Sequence, residues 1–206
     1  MELLVLGDEG LDKTKAHQLK KAGVLKSVGD GIYVGAQHDF GKVLDEYGMR
    51  LTSMLFPNAV LTHRTAYERK PMDGMIFIGG KYHYKRPIAD GTASLTIVQG
   101  ITDIPERRDK LQHEVITLKD KMGEFEMLSS TPELILLQHF EATKVNNIKH
   151  LGATDLRKLW RKVLHRHDDD VRKTYRAIEK VAEHAGRNAE YKRFVRDIDN
   201  IINPGM

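Results

Sequence analysis

The sequence predicts an α+β protein, on three observations. A short basic helix framed by Asp12 and Gly23 runs into a hairpin with Asp30-Gly31 at its turn. β-Branched and aromatic runs broken by glycine and proline recur between Met75 and Leu128. From Thr154 onward, apolar residues return at helical spacing. These features divide the chain into a helix-and-hairpin segment with a supporting helix (residues 1–56), an α+β domain built on a small antiparallel sheet (57–150) and a C-terminal helical segment (151–206).

Gly7-Asp8-Glu9-Gly10 reads as a turn. Asp12 then offers a short side-chain oxygen to the free amides of a helix start, and Gly23 can take the left-handed conformation that ends one. On a helical wheel Ala16, Leu19 and Ala22 fall on one side and Lys13, Thr14, His17, Lys20 and Lys21 on the other. Val24-Leu25 and Ile32-Tyr33-Val34 are strand-like, and the Asp30-Gly31 pair between them suits a tight hairpin because both residues tolerate positive φ. A basic helix followed by a hairpin has the shape of a partial winged helix-turn-helix: the helix presents side chains to base edges, while the wing, with Lys26, reaches phosphate. The same residues also fit a solvated amphipathic helix lying on an ordinary hairpin. A helix-turn-helix needs an earlier helix behind its recognition helix, and the residues before Leu11 leave no room for one. Its support must come from later segments or from a second chain.

Apolar residues from Val43 to Leu55 recur at three- and four-residue spacing and predict a helix over 41–54 that Pro57 stops and that can supply this support. Thr62 can cap a short helix ending before Pro71. Met75–Ile78 and Lys81–Arg86, the second ended by Pro87, suggest a hairpin; Ser94–Gly100, His113–Leu118 and Gly123–Leu128 add three strands. Ser130 and Glu133 have capping-box spacing, with Pro132 in the first turn of a nearly all-apolar helix, Leu134–Phe140. Leu156, Leu159, Trp160, Val163 and Leu164 mark the next helix, and Val171, Tyr175, Ile178 and Ala182 another. Gly186 precedes a last one carrying Phe194, Val195, Ile198, Ile201 and Ile202, and Asn203-Pro204-Gly205-Met206 ends the chain with turn residues.

The 206 residues include no cysteine, which excludes disulfides, thiolate zinc sites and cysteine nucleophiles. Met1–Leu6 lacks the basic start of a signal peptide, and no apolar run approaches a membrane span, so a cytoplasmic protein without membrane contact is expected. The net charge of +4 permits nucleic-acid binding without requiring it. Residues 1–40 hold five Lys/Arg against six acids and 151–206 thirteen against nine, so the N-terminal lysines matter by clustering on one helix face rather than by excess.

His165-Arg166-His167-Asp168-Asp169-Asp170 contains metal-ligand residue types. Histidines two apart on a helix diverge by about 200°, however, and the acids read better as the cap of the following helix, so no metal or other cofactor is expected. Lys81–Arg86 alternates bases with aromatics, which fits either base stacking or an edge strand guarded by lysines, the second being favoured. Ser129, Ser130 and Thr131 read as caps rather than nucleophiles. No phosphate-binding loop, nucleophile elbow or paired catalytic carboxylates occur, and the chain is not expected to be an enzyme.

Three stretches together carry a resemblance. Asp12–Val34, Pro57-Asn58-Ala59-Val60-Leu61-Thr62-His63-Arg64-Thr65-Ala66 and Ser130-Thr131-Pro132-Glu133-Leu134-Ile135-Leu136-Leu137 stand in the order of the winged-helix segment, the segment that follows it and the Thr-Pro-Glu helix start of AbiEi-type antitoxins and transcriptional regulators. The chain resembles that family over residues 11–140. The resemblance implies a DNA-binding autorepressor with a cognate toxin protein as partner; in that reading Lys13, Thr14, His17, Lys20 and Lys21 face the groove of double-stranded operator DNA and Lys26 meets phosphate, and a homodimer would lengthen the short recognition surface by pairing half-sites. Similar modules occur as N-terminal extensions of Fic-type adenylyltransferases, which would make this chain an interaction or inhibitory module. The Fic signature itself is absent from these residues.

Overall fold

Two sheets organise the chain in the computed structural model, which describes residues 3–7, 10–81, 83–101, 110–142 and 149–202. The expected turn at Gly7–Gly10 lies partly outside the described residues, as does Tyr82, and the closing Asn203–Met206 lies wholly outside them.

The smaller sheet is antiparallel in the order β1-β3-β2, built from β1 (Leu3–Val5), β2 (Leu25–Gly29) and β3 (Ile32–Gly35), with α1 (Lys13–Lys21) between β1 and β2 in the chain. Strand alternation gives this sheet two different faces. Leu25, Leu4 and Tyr33 pack with Leu11, Ala16 and Leu19 under α1, while Leu3, Ile32 and Val34 join the main core together with Phe40, Val43 and Leu44 of α2 (Phe40–Leu55). The support anticipated for α1 from the 41–54 helix is therefore indirect. The sheet carries α1, and α2 belongs to the core on which the sheet's other face rests.

The larger sheet runs β6-β7-β5-β4-β9-β8, with β4 (Val60–Leu61), β5 (Met75–Gly80), β6 (Tyr84–Ala89), β7 (Ser94–Ile101), β8 (His113–Asp120) and β9 (Gly123–Ser130). It is mixed rather than antiparallel, because β5 pairs parallel with β7 and β4 pairs parallel with β9. The hairpin expected between 75–78 and 81–86 does not form, since β7 inserts between those two strands. Pro87 lies inside β6 rather than ending it, which an edge strand permits because one row of its amides needs no partner.

α2 and α3 (His63–Glu68) pack on this sheet through alternate residues of β5. A Cβ added at Gly48 of α2 would meet Leu95 and Ile76, whereas Phe77 stands against His63, with ring centroids 6.3 Å apart. Arg50 of α2 clamps the β8–β9 turn with bonds of 2.6 and 2.8 Å to the Asp120 carboxylate and 2.8 Å to the Gly123 carbonyl. α4 (Pro132–His139) is buried on nearly every side between α3, β9 and the C-terminal helices α5 (Ala153–Arg166), α6 (Val171–His184) and α7 (Asn188–Ile202). One continuous apolar core includes residues of all three expected segments, from Leu3 to Ile198. No described helix is long and apolar enough to cross a membrane.

Pro132 sits in the first turn of α4 as its missing amide allows, but the Ser130–Glu133 capping box is not made. Thr131 is the N-cap residue without a side-chain cap bond. Glu133 instead accepts from His167 Nε2 at 3.0 Å and from Arg166 Nε at 3.2 Å. Thr62 precedes α3 as expected, yet its hydroxyl also makes no cap bond.

Candidate nucleic-acid interface

α1 is fixed at both ends by local chemistry. The Asp12 carboxylate accepts the Lys15 amide at 2.7 Å. At the other end Val24 N–H reaches Leu19 O and Gly23 N–H reaches Lys20 O, the paired bonds of a Schellman motif, with Gly23 at φ +72°. Lys20 and Lys21 lie in the last turn, where the helix dipole favours positive charge.

Only Ala16 of this helix is buried, and Leu19 partly so. Lys13, Thr14, His17, Lys20 and Lys21 are all exposed, and Lys15 is exposed as well. The nine-residue helix contains no acid. Among the described residues none of Lys13, Lys15, Lys20 and Lys21 enters an ion pair, so four ammonium groups stand on one narrow element without neutralisation.

The hairpin places its charges differently. Asp30 (φ +47°) and Gly31 (φ +78°) form the tight turn, after a bulge between Ser27 and Gly29. Arg86 of β6 donates to Asp30 at 2.9 Å, which draws the hairpin tip onto the larger sheet. Lys26 does not stand free for phosphate. Its ammonium meets Asp90 at 2.7 Å and lies 5.8 Å from the centre of the Phe40 ring. That ammonium, with the Thr92 hydroxyl and amide, holds the Asp90 carboxyl well below the usual carboxylate range. The free positive charge of this region is therefore on α1 alone, and the hairpin tip contributes an acid already paired.

The other sequence candidates disperse. Asp170 caps α6, accepting the Arg172 and Lys173 amides, while His167 turns to Glu133 and His165 lies 3.5 Å from Asp169. Tyr84 of the Lys81–Arg86 run tilts against Phe56, with ring centroids 6.1 Å apart, and β6 is an edge strand. Ser130 Oγ accepts from Gln138 Nε2, and the Thr131 hydroxyl donates to Leu111 O, so both brace the α4 region without capping it.

A polar cluster that the sequence did not disclose gathers around His63. His63 Nε2–H donates to Glu141 at 2.9 Å, Nδ1 accepts from the Thr62 hydroxyl at 3.0 Å, and the backbone amide donates to Gln138 Oε1 at 2.7 Å. Its φ of +52° is a left-handed conformation rare for a residue with a side chain. Burial keeps the imidazole neutral despite its carboxylate partner, and the bonds from His63 and Lys149 hold Glu141 ionised far below its ordinary range.

Next to this cluster the His139 and His150 rings lie 5.2 Å apart. Among the described residues no partner meets His139 Nδ1 or His150 Nε2. Burial lowers both imidazoles from 6.5 to about 4. The unfolded chain takes up these protons near its ordinary value and the folded chain only at lower pH. The stability they contribute is thus complete above about 6.5 and is lost as pH falls toward 4. The expected loss is roughly 2–4 kcal/mol between pH 7.5 and 5, a fall in the thermal midpoint of roughly 5–15 °C. Calorimetry at the two pH values checks this. The double variant His139→Gln, His150→Gln should show a smaller difference, the remainder including the buried His63, and an equal difference would place the acid sensitivity elsewhere.

A comparison of the chain with protein-family models and with curated proteins gives no match.

Proposed function

We propose that the chain binds double-stranded DNA through α1 and acts as an autorepressor of the antitoxin type. The observation that carries this reading is the charge distribution of α1: four exposed lysines and His17 on a nine-residue helix that holds no acid and is capped at both ends. Such a helix is narrow enough for the major groove, and lysines spread around it can meet phosphates on the groove walls while Thr14, His17 and Gln18 reach base edges. The β1-β3-β2 sheet gives it a rigid base, which supports reading the region as a partial winged helix-turn-helix. The antitoxin assignment rests on the order of the three resembling stretches. The fold adds that two of them meet: Gln138 of the third stretch's helix bridges Ser130 to the His63 amide of the second.

Gel-shift titration against the DNA upstream of the coding sequence tests the proposal. A shift at lower protein concentration than for an unrelated duplex of equal length is expected. Equal affinity for both would leave no operator, and no shift at moderate salt would remove the reading altogether.

A second reading, an interaction or inhibitory module for a toxin or a fused enzyme, draws support from α5. Lys158, Arg161, Lys162 and His165 are exposed on the side opposite Leu156, Leu159, Trp160 and Val163, a basic stripe suited to an acidic protein partner. Co-purification with the product of the adjacent gene distinguishes it.

A further inference from the structure

A cavity of about 170 Å³ opens beside His63, bounded by the larger sheet, α3 and the start of α7. Its floor is apolar. Phe77 of β5 and Val98 of β7 are register partners on the parallel pair, and two residues further along that pair stand Gly79 and Gly100. Among the described residues a Cβ built on Gly100 would meet nothing within 4 Å, so the missing side chain leaves this part of the floor open. Gly100 is not at a positive φ, and its glycine is not required by the backbone.

The wall is a set of hydrogen-bond donors arranged around one carboxylate. Glu141 accepts from His63 Nε2 and from Lys149 Nζ, and Arg187 stands 3.9 Å from its other oxygen. Lys149 spends one donor on Glu141 and Arg187 none within hydrogen-bonding distance, whereas an ammonium carries three N–H donors and a guanidinium five. With His63 neutral, two cations face one anion, so the wall keeps one positive charge and spare donors. A donor-rich wall above an apolar floor is the usual composition of a small-molecule site, and the backbone strain at His63 marks the same place.

We propose that this cavity binds a small organic carboxylate, its carboxylate on Arg187 and Lys149 and its apolar body over Phe77, Val98 and Gly100. The planar guanidinium fork matches a carboxylate, and the floor offers nothing to a fully polar anion. At about 30 Å³ per water the volume equals that of roughly half a dozen waters, which suits a benzoate or a branched short-chain acid and excludes a nucleotide. The lining comes from β5 and β7 of the larger sheet, from the start of α3 and from connecting segments that carry Glu141, Lys149 and Arg187; none comes from α1 or its hairpin, so the site is independent of the DNA-binding reading.

Isothermal titration of the full chain with sodium benzoate and with isovalerate at constant ionic strength tests the assignment, with inorganic phosphate as the comparison anion. Saturable 1:1 binding with a Kd on the order of 0.1–1 mM is expected for at least one of the two acids. Gly100→Val fills the floor while leaving every charge in place, and β-branched valine suits a strand. It should weaken binding at least tenfold with the thermal midpoint unchanged. Arg187→Met should weaken binding similarly. The assignment is overturned if neither acid binds at 10 mM, if Gly100→Val binds as the parent does, or if phosphate binds as tightly as the carboxylates.

Discussion

Replacing Lys13, Lys20 and Lys21 together by alanine should lower DNA affinity about 100-fold at moderate salt, for operator and unrelated duplexes alike. All three side chains are exposed, and none enters an ion pair among the described residues, so their removal exposes no buried charge. Alanine also favours the helix, and the caps at Asp12 and Gly23 remain, so the fold should keep its thermal midpoint. The loss would then be of phosphate contacts alone: the slope of log affinity against log salt should flatten by about 3, close to one unit per lysine removed. Fluorescence anisotropy with a labelled duplex measures both quantities. A triple variant that binds as the parent does would move the interface away from α1. Lys26→Ala is the internal contrast, since that ammonium is already committed to Asp90 and should contribute little to the slope.

Phe194→Ala should destabilise the protein by about 3–5 kcal/mol, the usual cost of emptying a fully buried aromatic site. Phe194 is 0% exposed, and its ring centroid lies 5.6 Å from Phe140, 5.8 Å from Trp160, 5.3 Å from Tyr175 and 6.1 Å from Tyr191. These rings come from the end of α4 and from α5, α6 and α7, so one side chain joins the C-terminal helices to one another and to the core. Arg193 beside it donates to the Phe140 carbonyl at 2.7 Å and cannot compensate for lost packing. Urea denaturation should show a lower midpoint with an unchanged slope, since the surface exposed on unfolding hardly changes. A cost below about 1 kcal/mol would mean that the helices are held elsewhere.

What the sequence disclosed was chemistry that acts within a few residues. Asp12, Gly23 and Asp30-Gly31 each work on their own backbone, and each does in the fold what its spacing predicts. The helices from α5 to α7 were legible because their apolar faces recur at 3.6 residues over fourteen or fifteen positions. Strand order was not, because adjacency along the chain favours a β5–β6 hairpin and nothing local signals that β7 enters between them. Leu3–Val5 and Val60–Leu61 are too short for alternation to identify. Glu133 shows a local rule losing to a distant competitor, with Arg166 and His167 more than thirty residues away. Lys26 is the same case at the candidate interface, since Asp90 lies 64 residues further on. The His63 cluster gathers side chains from three regions of the chain, and only the closeness of Thr62 to His63 was visible beforehand.

The salt dependence of DNA binding tests the central claim most directly. Anisotropy titrations of the intact chain with its upstream duplex between about 50 and 200 mM salt should give a straight line of log affinity against log salt with a slope of about −3 to −4. That corresponds to the four lysines of α1 releasing condensed counterions, an affinity loss near 100-fold over the range. Absence of binding at the lowest salt, or an affinity that does not change across the range, would contradict the account.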